Sequence, residues 1–429
     1  MKIKSVKALE VLDSRGNPTI QTRVILEDGG IGTGIVPSGA STGSYEAVEL
    51  RDQDASRFGG NGVQKAVTHV NGEIAEAVMG MEADDQEGID GKMIELDGTE
   101  NKGRLGANAI LSVSLAVARA AAASKSQPLY EYLSKFNPEH NGRFILPVPM
   151  MNVMNGGKHA NWATDIQEYM ILPVSSKTEA DAVRACAEIY ANLKKLLKAK
   201  SYNVNVGDEG GFAPSVASNE EPFELMSQAI KNAGYEPGKD IIFGIDAAAT
   251  EFFSEGMYNL NKEGRKVTSQ ELADFYGVLR AKYPIYSFED VFAEDDWETF
   301  TSFTASLEGK GQVVGDDLYV TNVKRLTRGI SEKTTNSILI KLNQIGTLTE
   351  TVNAVSMARA AGMTAVISHR SGETEDSFIA DLSVALGTGQ IKTGAPCRSE
   401  RTAKYNRLME IEAELGGRGR YADFPFINK

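Results

Sequence analysis

Cysteine is scarce in this chain of 429 residues, which contains only two, Cys186 and Cys397. The two lie far apart in the sequence, whereas a disulfide framework needs several cysteines at characteristic spacings. Proteins without such a framework are typical of reducing compartments. We therefore expect a cytoplasmic protein.

Long apolar segments are also lacking, because no run of apolar residues reaches the length that crosses a bilayer. The N-terminal sequence, MKIKSVKALEVLDSRG, lacks the apolar core and the cleavage site of a secretory signal peptide. The composition is otherwise ordinary for a soluble globular protein, with 41% hydrophobic and 24% charged residues. We expect no membrane insertion.

Positive charge is in deficit, with 45 lysines and arginines against 58 acidic residues and a formal net charge of -13. General nucleic-acid binding needs a basic face that displaces counterions from phosphates, so this balance argues against it. A small anionic substrate remains compatible with the balance. Its site would have to be made locally positive by metal ions and a few clustered cations.

The first part of the chain, residues 1–135, shows no strand–helix repeat. Two strand-like segments flank a turn at Asn17 and Pro18, and a loop rich in Gly, Ser and Thr follows them. The segment LGANAILSVSLAVARAAAAS is helical and apolar nearly all round, which indicates a buried helix. We predict an α+β domain here, packed on the rest.

The second part, residues 136–429, alternates short apolar strands with helical segments from about Pro147 to the strand near Lys392. This alternation is the pattern of a (β/α)8 barrel. Its start is irregular, since VPMMNVMNGG and IQEYMILPV follow each other without a long helix between them. The predicted fold class is therefore α/β, an atypical (β/α)8 TIM-like barrel with an N-terminal α+β domain.

Four of the predicted strands end in side chains that suit one chemistry: Asp246, Glu289, Asp316 and Lys341. The carboxyl ends of successive barrel strands converge on one site. Three carboxylates there suit a hard divalent cation. A lysine beside them suits removal of a proton from a carbon next to a carboxylate that the metal polarises. The alternative for each acid alone is a helix N-cap or a turn residue.

Ten motifs, in order along the chain, resemble the enolase family, and the resemblance extends over almost the whole chain. They are DSRGNPT (13–19), SGASTG (38–43), NGGKHA (155–160), DIQEYM (165–170), GDEGGFAP (207–214), AEDDWE (293–298), GDDLYVTN (315–322), IKLNQIGT (340–347), SHRSGET (368–374) and IKTGAP (391–396). The resemblance implies an N-terminal α+β capping domain on an atypical barrel. It also implies Mg2+-dependent, reversible dehydration of 2-phosphoglycerate to phosphoenolpyruvate, in glycolysis and gluconeogenesis.

The same resemblance implies two Mg2+ ions per active site. Asp246, Glu289 and Asp316 match the family's ligands for the tighter ion. Ser41 matches a loop residue that meets a second ion, which arrives with substrate and bridges its phosphate; the alternative is an ordinary loop serine. Asp317 follows Asp316, but alternation along a strand would point it to the opposite face, so we expect a supporting role.

The proton-transfer roles implied by the resemblance fall on Lys341 as the base that accepts the C2 proton and Glu209 as the acid that protonates the departing 3-hydroxyl. Glu168 matches a carboxylate that assists the acid side. Lys341 must be neutral for part of the time, and we expect Mg2+ and Lys392 to lower its pKa. The alternative for Lys341 is an ordinary exposed lysine, which its position within the apolar run ILIKLN disfavours. The alternative for Glu209 is a plain glycine-rich turn.

Substrate contacts implied by the resemblance include Lys341 itself. Arg370 and Ser371 match anchors that suit a phosphate, and Lys392 and Gln167 match contacts to the substrate carboxylate. Gln167 and Glu168 cannot both point inward from a regular strand, so we expect local distortion or different depths there. Two histidines complete the candidates. His159 is expected to close over the phosphate as a catalytic and binding residue. His369 lies beside the phosphate anchor in the sequence, and its alternative is a purely structural role.

The chain departs from the family pattern at Glu100, where proline is common, at Val291, where Gly or Pro is usual, and within NWATD (161–165). None of these changes removes a charged catalytic position. Another superfamily member acting on a different carboxylate is one alternative, which SGASTG and GDEGGFAP argue against.

A binding role as a second activity is the other alternative, either as a surface receptor using Lys429 or as a scaffold in an RNA-degrading complex. Such a role would accompany a cell-surface or secreted fraction. For its own assembly, the family suggests a homodimer or an octamer of dimers.

Overall fold

A three-stranded antiparallel sheet opens the chain in the computed structural model, which describes residues 1–39 and 45–427 without the side chain of His159. Its strands are β1 (Ile3–Leu12), β2 (Pro18–Leu26) and β3 (Ile31–Ile35). Between β1 and β2, Asp13 Oδ1 accepts hydrogen bonds from the backbone N–H groups of Arg15 (2.8 Å) and Asn17 (2.9 Å). This closed turn confirms the predicted strand, turn and strand.

Five helices follow this sheet in the described part of the chain, and two glycines let one of them approach it closely. The helices are α1 (Gln64–His69), α2 (Ala75–Val78), α3 (Gln86–Asp97), α4 (Ala107–Ser124) and α5 (Leu129–Leu133), with a π-helical turn at Val70–Ile74 and 3-10 turns at Phe58–Gly60 and Ser134–Phe136. A Cβ added to Gly32 would lie 2.0 Å from the carbonyl oxygen of Ala116, and one added to Gly34 would lie 2.7 Å from that of Ser112. Helix α4 can therefore lie directly on β2 and β3.

Helix α4 corrects the expectation that no segment is long enough to cross a membrane. By length and composition alone its 18 residues, Ala107–Ser124, pass that test, with a mean hydropathy of 1.4. The structure buries 83% of this window, and nearly every side chain along it is buried. The buried core helix of a soluble protein passes the same test of length and composition. The predicted burial of this segment is confirmed.

Thirteen further strands follow within the described residues, and eight of them close a barrel. In chain order the strands are β4 (Phe144–Leu146), β5 (Val148–Asn155), β6 (Glu168–Pro173), β7 (Ile241–Asp246), β8 (Phe253–Ser254), β9 (Met257–Leu260), β10 (Arg265–Val267), β11 (Ile285–Glu289), β12 (Gln312–Gly315), β13 (Ser337–Ile340), β14 (Thr364–Ser368), β15 (Gln390–Lys392) and β16 (Gly419–Tyr421). The ring order is β5, β6, β7, β11, β12, β13, β14, β15 and back to β5. Strands β8–β10 form a small sheet, and β4 pairs with β16.

Strand β6 makes the barrel atypical, because it runs antiparallel to both neighbours while the other described pairs of the ring are parallel. Only a short loop with a 3-10 turn at Gly157–Ala160 joins β5 to β6. This confirms the predicted irregular start. Because β6 is reversed, its first residue, Glu168, pairs with the last residue of β7, Asp246, and of β5, Asn155. The beginning of β6 thus meets the carboxyl ends of the other strands.

Nine helices complete this part of the described chain. They are α6 (Glu179–Ala199), α7 (Glu221–Asn232), α8 (Ser269–Lys282), α9 (Trp297–Ser306), α10 (Val323–Glu332), α11 (Leu342–Ile345), α12 (Leu348–Ala360), α13 (Phe378–Leu386) and α14 (Ser399–Leu415), with 3-10 turns at Ala249–Phe252 and Gly416–Arg418. Several begin at a threonine whose hydroxyl accepts a backbone N–H: Thr178 before α6, Thr268 before α8 and Thr347 before α12. The predicted fold class is confirmed.

The inside of the barrel is a packed core that includes a polar layer. Gln312 Nε2 donates to Ser337 Oγ (2.9 Å) and Gln390 Oε1 (2.8 Å), and Ser287 Oγ donates to Gln312 Oε1 (3.1 Å). These side chains are fully buried or nearly so, and they satisfy one another's hydrogen bonds. The chemistry of the barrel therefore lies at the strand ends rather than in its interior.

Candidate active site

A cavity lies at the end of the barrel where Glu168 meets the carboxyl ends of the parallel strands. Most of the predicted site residues line it: Gln167, Glu168, Glu209, Asp246, Asp316, Lys341, Arg370, Ser371 and Lys392. Glu289 is fully buried and is not among the lining residues, but its carboxylate forms an ion pair with Lys392, which lines the cavity. His159 lies in the 3-10 turn between β5 and β6, where its side chain is not described, and Ser41 lies outside the described residues.

Lys392, at the end of β15, joins three carboxylates in one buried cluster. Its Nζ lies 3.0 Å from Asp246 Oδ2, 2.7 Å from Glu289 Oε1 and 3.2 Å from Glu168 Oε2. Burial alone would lower the pKa of Lys392, but these carboxylates, Asp246 first, raise it well above its ordinary value. Lys392 is thus a fixed positive charge at the centre of the acidic wall.

Lys341 follows β13 and forms an ion pair with Asp316, which follows β12. Gln344 Nε2 donates to the other oxygen of this carboxylate, Asp316 Oδ1, at 2.8 Å. Burial alone would lower the pKa of Lys341, but Asp316 raises it above its ordinary value. Lys392 lowers this pKa as expected, but its effect is smaller than that of Asp316, the nearest charge to the amino group. The lowering expected from Mg2+ stays a prediction.

Asp290 was not predicted as a site residue, and Asp317 was predicted to point away. Within the described residues, Asp290, Asp316 and Asp317 bring one carboxylate oxygen each to within 4.8 Å of one another. Strand β12 ends at Gly315, so strand alternation no longer applies to the two aspartates that follow. Asp290, at a φ of 41°, accepts the backbone N–H groups of Asp316 (2.9 Å) and Asp317 (2.7 Å). In the sequence, the only signal for Asp290 is its position next to Glu289.

The electrostatics of this wall raise the pKa of some of its acids. Burial, and then repulsion from Asp316, raises the pKa of Asp317 to about 8. Burial, and then Asp246, raises the pKa of Glu289 well above its ordinary value. A wall whose acids have raised pKa values gains most from a multivalent cation, which supplies the missing positive charge.

The donor chemistry of the wall fits a hard divalent cation. Asp246, Glu289 and Asp316 offer only carboxylate oxygens, the ligand type that Mg2+ and Ca2+ prefer. Glu289 Oε2 is buried and has no hydrogen-bond partner among the described residues, so it keeps lone pairs for a ligand bond. An acidic metal centre is therefore supported here.

Glu209 lines the same cavity from the loop of residues 207–211, which we call the acid loop. Asn152 Nδ2 donates to Glu209 Oε2 at 3.0 Å, and Ser371 Oγ donates to Glu209 Oε1 at 3.5 Å. Tyr190 OH donates to the carbonyl of Gly210 at 2.6 Å, which ties the loop to α6. Burial, and then the charge of Glu209, raises the pKa of Glu168 well above its ordinary value. Glu168 is thus suited to hold a proton beside Glu209.

The neighbours Gln167 and Glu168 both line the cavity, although adjacent residues of a regular strand point to opposite faces. Glu168 is the first residue of β6, so Gln167 precedes the strand and is free of its alternation. The backbone N–H of Gln167 donates to the carbonyl of Asp246 at 3.1 Å, and its own carbonyl accepts from Gly156 at 2.8 Å. Gln167 therefore lies just before the strand, and local distortion and different depths both stay predictions.

Arg370 follows β14 and is held by the carboxylate of Glu46, from the N-terminal part of the chain. Its Nη1 donates to Glu46 Oε2 (2.9 Å) and to Asn343 Oδ1 (3.0 Å), and its Nη2 donates to Glu46 Oε1 (3.1 Å). This two-point contact is the geometry in which a guanidinium binds a phosphate. Glu46 was not predicted as a site residue.

His369 is buried in the cavity wall rather than on the surface. Its Nε2 lies 3.7 Å from Glu209 Oε2, and its Nδ1 contacts Nη1 of the buried Arg401 at 2.5 Å. Burial lowers the pKa of His369 well below its ordinary value, so the ring is neutral.

Two family models match the chain over nearly its whole length. One, described as the enolase N-terminal domain, matches residues 3–133. The other, described as the enolase C-terminal TIM barrel domain, matches residues 143–429.

Proposed function

The chain belongs to the enolase family of lyase-type enzymes, and from that premise we propose that it catalyses the reversible, Mg2+-dependent dehydration of 2-phosphoglycerate to phosphoenolpyruvate. The observation that carries the proposal is the joint lining of one cavity by Lys341, Glu209 and Arg370. These side chains suit a base, an acid and a phosphate anchor respectively. A substrate with a phosphate, a carboxylate and an acidic C–H bond between them matches this set.

The base and the acidic groups stand on different walls of the barrel. Lys341 follows β13, and β6, which begins with Glu168, lies four strands away in the ring of eight. Glu209 is bonded to Asn152 of β5, the strand next to β6. A substrate between these walls can lose a proton on one side and a hydroxyl on the other, as removal of water from adjacent carbons requires.

Asp246, Glu289 and Asp316 are the residues that would hold the tighter Mg2+. When bound, the metal offsets the negative charge that grows on the substrate carboxylate as the C2 proton leaves. We further propose a second Mg2+ that enters with substrate, with Ser41 as its contact. Ser41 lies outside the described residues.

The chain's own residues carry the remaining steps. Lys341 Nζ takes the proton from C2, which requires that Asp316 no longer pair with it. Glu209 gives a proton to the departing 3-hydroxyl, and Glu168 holds a further proton beside it. Lys392 and Gln167 fix the substrate carboxylate, whereas Arg370 and Ser371 bind its phosphate. His159 would close over the phosphate.

A direct assay tests this proposal. The purified protein, mixed with 2-phosphoglycerate and Mg2+, should produce the ultraviolet absorbance of the enol product. Chelation with EDTA should stop the increase, and added Mg2+ should restore it. If no product that depends on the divalent cation forms, the proposed reaction is wrong. We also propose a cytoplasmic homodimer or octamer of dimers, which sedimentation would test.

A further inference from the structure

Arg401, on the closing helix α14, is a charged side chain with no exposure to solvent. Its Nη1 donates to the carbonyl of Arg370 (2.6 Å), and its Nη2 donates to the carbonyls of Ser371 (2.6 Å) and Asp208 (3.0 Å). Nη1 also contacts His369 Nδ1. Burying a guanidinium is costly unless its donors are satisfied. Four acceptors from the cavity wall satisfy the two Nη groups, whereas Nε lies 3.7 Å from Glu400 Oε1 without a hydrogen bond among the described residues.

These acceptors come from two segments that carry different roles in the proposed reaction. Asp208 belongs to the acid loop with Glu209. His369, Arg370 and Ser371 begin the segment of residues 369–373, which we call the anchor loop. Arg401 therefore ties the loop of the proton donor to the loop of the phosphate anchor.

The contact with His369 also fixes which ring nitrogen carries a proton. Arginine can only donate hydrogen bonds, so Nδ1 of His369 must be the acceptor. In a neutral ring the proton then lies on Nε2. The Nε2 atom lies 3.7 Å from Glu209 Oε2. A small movement would bring these two atoms to hydrogen-bond distance as Glu209 becomes charged.

We propose that Arg401 is a positioning residue that holds His369 with its proton on Nε2, directed at Glu209, and locks the acid loop to the anchor loop. The part that concerns catalysis rests on the proposed role of Glu209. When Glu209 gives up its proton to the leaving hydroxyl, the prepared donor of His369 stabilises the carboxylate that forms. Arg401 itself touches no reacting atom.

Two substitutions of Arg401 separate positioning from simple structural support. Lysine in Arg401→Lys keeps the charge but cannot reach four acceptors from one nitrogen. Methionine in Arg401→Met removes every donor and frees the carbonyls of Arg370 and Ser371. The matched control is Arg407→Lys, on the same helix, because Arg407 pairs with Asp381 and not with either loop.

Nitrogen NMR of the histidine side chains is the readout that does not depend on catalysis. The chain has four histidines, and the signal absent from His369→Gln identifies His369. We expect an unprotonated Nδ1 in the wild type and in Arg407→Lys. In Arg401→Met we expect a proton on Nδ1, donated to a freed carbonyl. An unchanged Nδ1 in that variant would overturn the tautomer argument.

Kinetics supply the second readout. In Arg401→Lys, elimination should fall by about tenfold or more, which is less than the roughly hundredfold loss expected when a general acid itself is removed, while exchange of the C2 proton with solvent is retained. A parallel loss of both steps, or no loss of elimination, would overturn the positioning role. If the wild type does not dehydrate 2-phosphoglycerate, the proposed function is wrong, and the state of Nδ1 still decides what Arg401 does to His369.

Discussion

The amino group of Lys341 contacts a carboxylate oxygen of Asp316, so the candidate base and a candidate metal ligand form one ion pair in which Asp316 is buried and Lys341 is partly buried. While this pair persists, Lys341 is a cation and cannot accept a proton. Asp316 is shared, since a cation bound to it would compete directly with Lys341 for the same carboxylate. Metal binding and activation of the base are thereby linked through one side chain.

Separate variants of the base and the acid should divide the reaction into its two halves. We expect Lys341→Ala to abolish exchange of the C2 proton with solvent, because no other lysine is proposed to reach that carbon. Glu209→Gln should retain exchange and lose elimination by about a hundredfold or more, the range of general acid catalysis. Proton NMR of 2-phosphoglycerate in heavy water measures exchange. Equal loss of exchange in both variants would show that the assignment of base and acid is wrong.

Metal affinity should distinguish the two possible sets of acidic ligands. If Asp246, Glu289 and Asp316 hold the ion, then Glu289→Gln should weaken Mg2+ binding by at least about tenfold. Asp317→Asn, which removes a neighbouring acid outside that set, should have a smaller effect. Calorimetric titration of the metal-free protein with Mg2+ provides the comparison. A larger effect of Asp317→Asn would assign the ion to the cluster of Asp290, Asp316 and Asp317.

The contact between Glu46 and Arg370 predicts competition with the substrate phosphate. Glu46→Gln keeps the shape of the side chain but removes the charge that occupies the guanidinium, so the KM for 2-phosphoglycerate should fall by at least about threefold to tenfold, or about 1 kcal/mol or more. Inhibition by inorganic phosphate should strengthen to a similar extent. Glu100→Gln removes an exposed acid paired with Lys324 and serves as the control for net charge. A higher KM in Glu46→Gln would mean that Glu46 orients Arg370 instead of competing for it.

The sequence predicted where the site lies better than how its side chains are paired. Asp246, Glu289 and Lys392 end barrel strands, and parallel strand ends converge whatever the details of packing. The reversal of β6 could not be predicted in direction, although its short connection from β5 was visible. Glu168 therefore came from the family resemblance and not from the strand pattern.

The pairings could not be predicted, because they join residues that are distant in sequence. Glu46 reaches Arg370 across 324 positions, and Arg401 reaches Asp208 across 193. No local pattern records such a contact, since it depends on how the capping domain and the last helix pack on the barrel. Asp290 was missed for a different reason: its positive φ turns the chain under Asp316 and Asp317, whereas strand alternation assumes extended backbone.

Asp90 should make stability depend on pH at the contact between α3 and α12. Its Oδ2 accepts hydrogen bonds from Thr349 N (3.0 Å) and Thr349 Oγ1 (2.7 Å), yet burial raises its pKa to about 6. An unfolded aspartate titrates near pH 4, so between about pH 4 and pH 6 the unfolded chain binds fewer protons and stability falls as pH rises. Relative to Asp90→Asn, the wild type should lose roughly 3 kcal/mol over this interval. Urea unfolding at several pH values measures the difference, and parallel curves would contradict the raised pKa.

Two glycines of the capping domain should respond in opposite directions to the same substitution. A Cβ at Gly32 of β3 would overlap the carbonyl of Ala116 and the backbone nitrogen of Ala120, at 2.0 and 2.3 Å, so Gly32→Ala should destabilise the fold by about 1–3 kcal/mol or more through overpacking. Gly91 in α3 has nothing within 4 Å of the added carbon and is exposed. Gly91→Ala should therefore stabilise the helix by up to about 1 kcal/mol. Denaturant unfolding measures both changes. Similar effects of the two variants would mean that the close packing of α4 on β3 does not limit the residue at position 32.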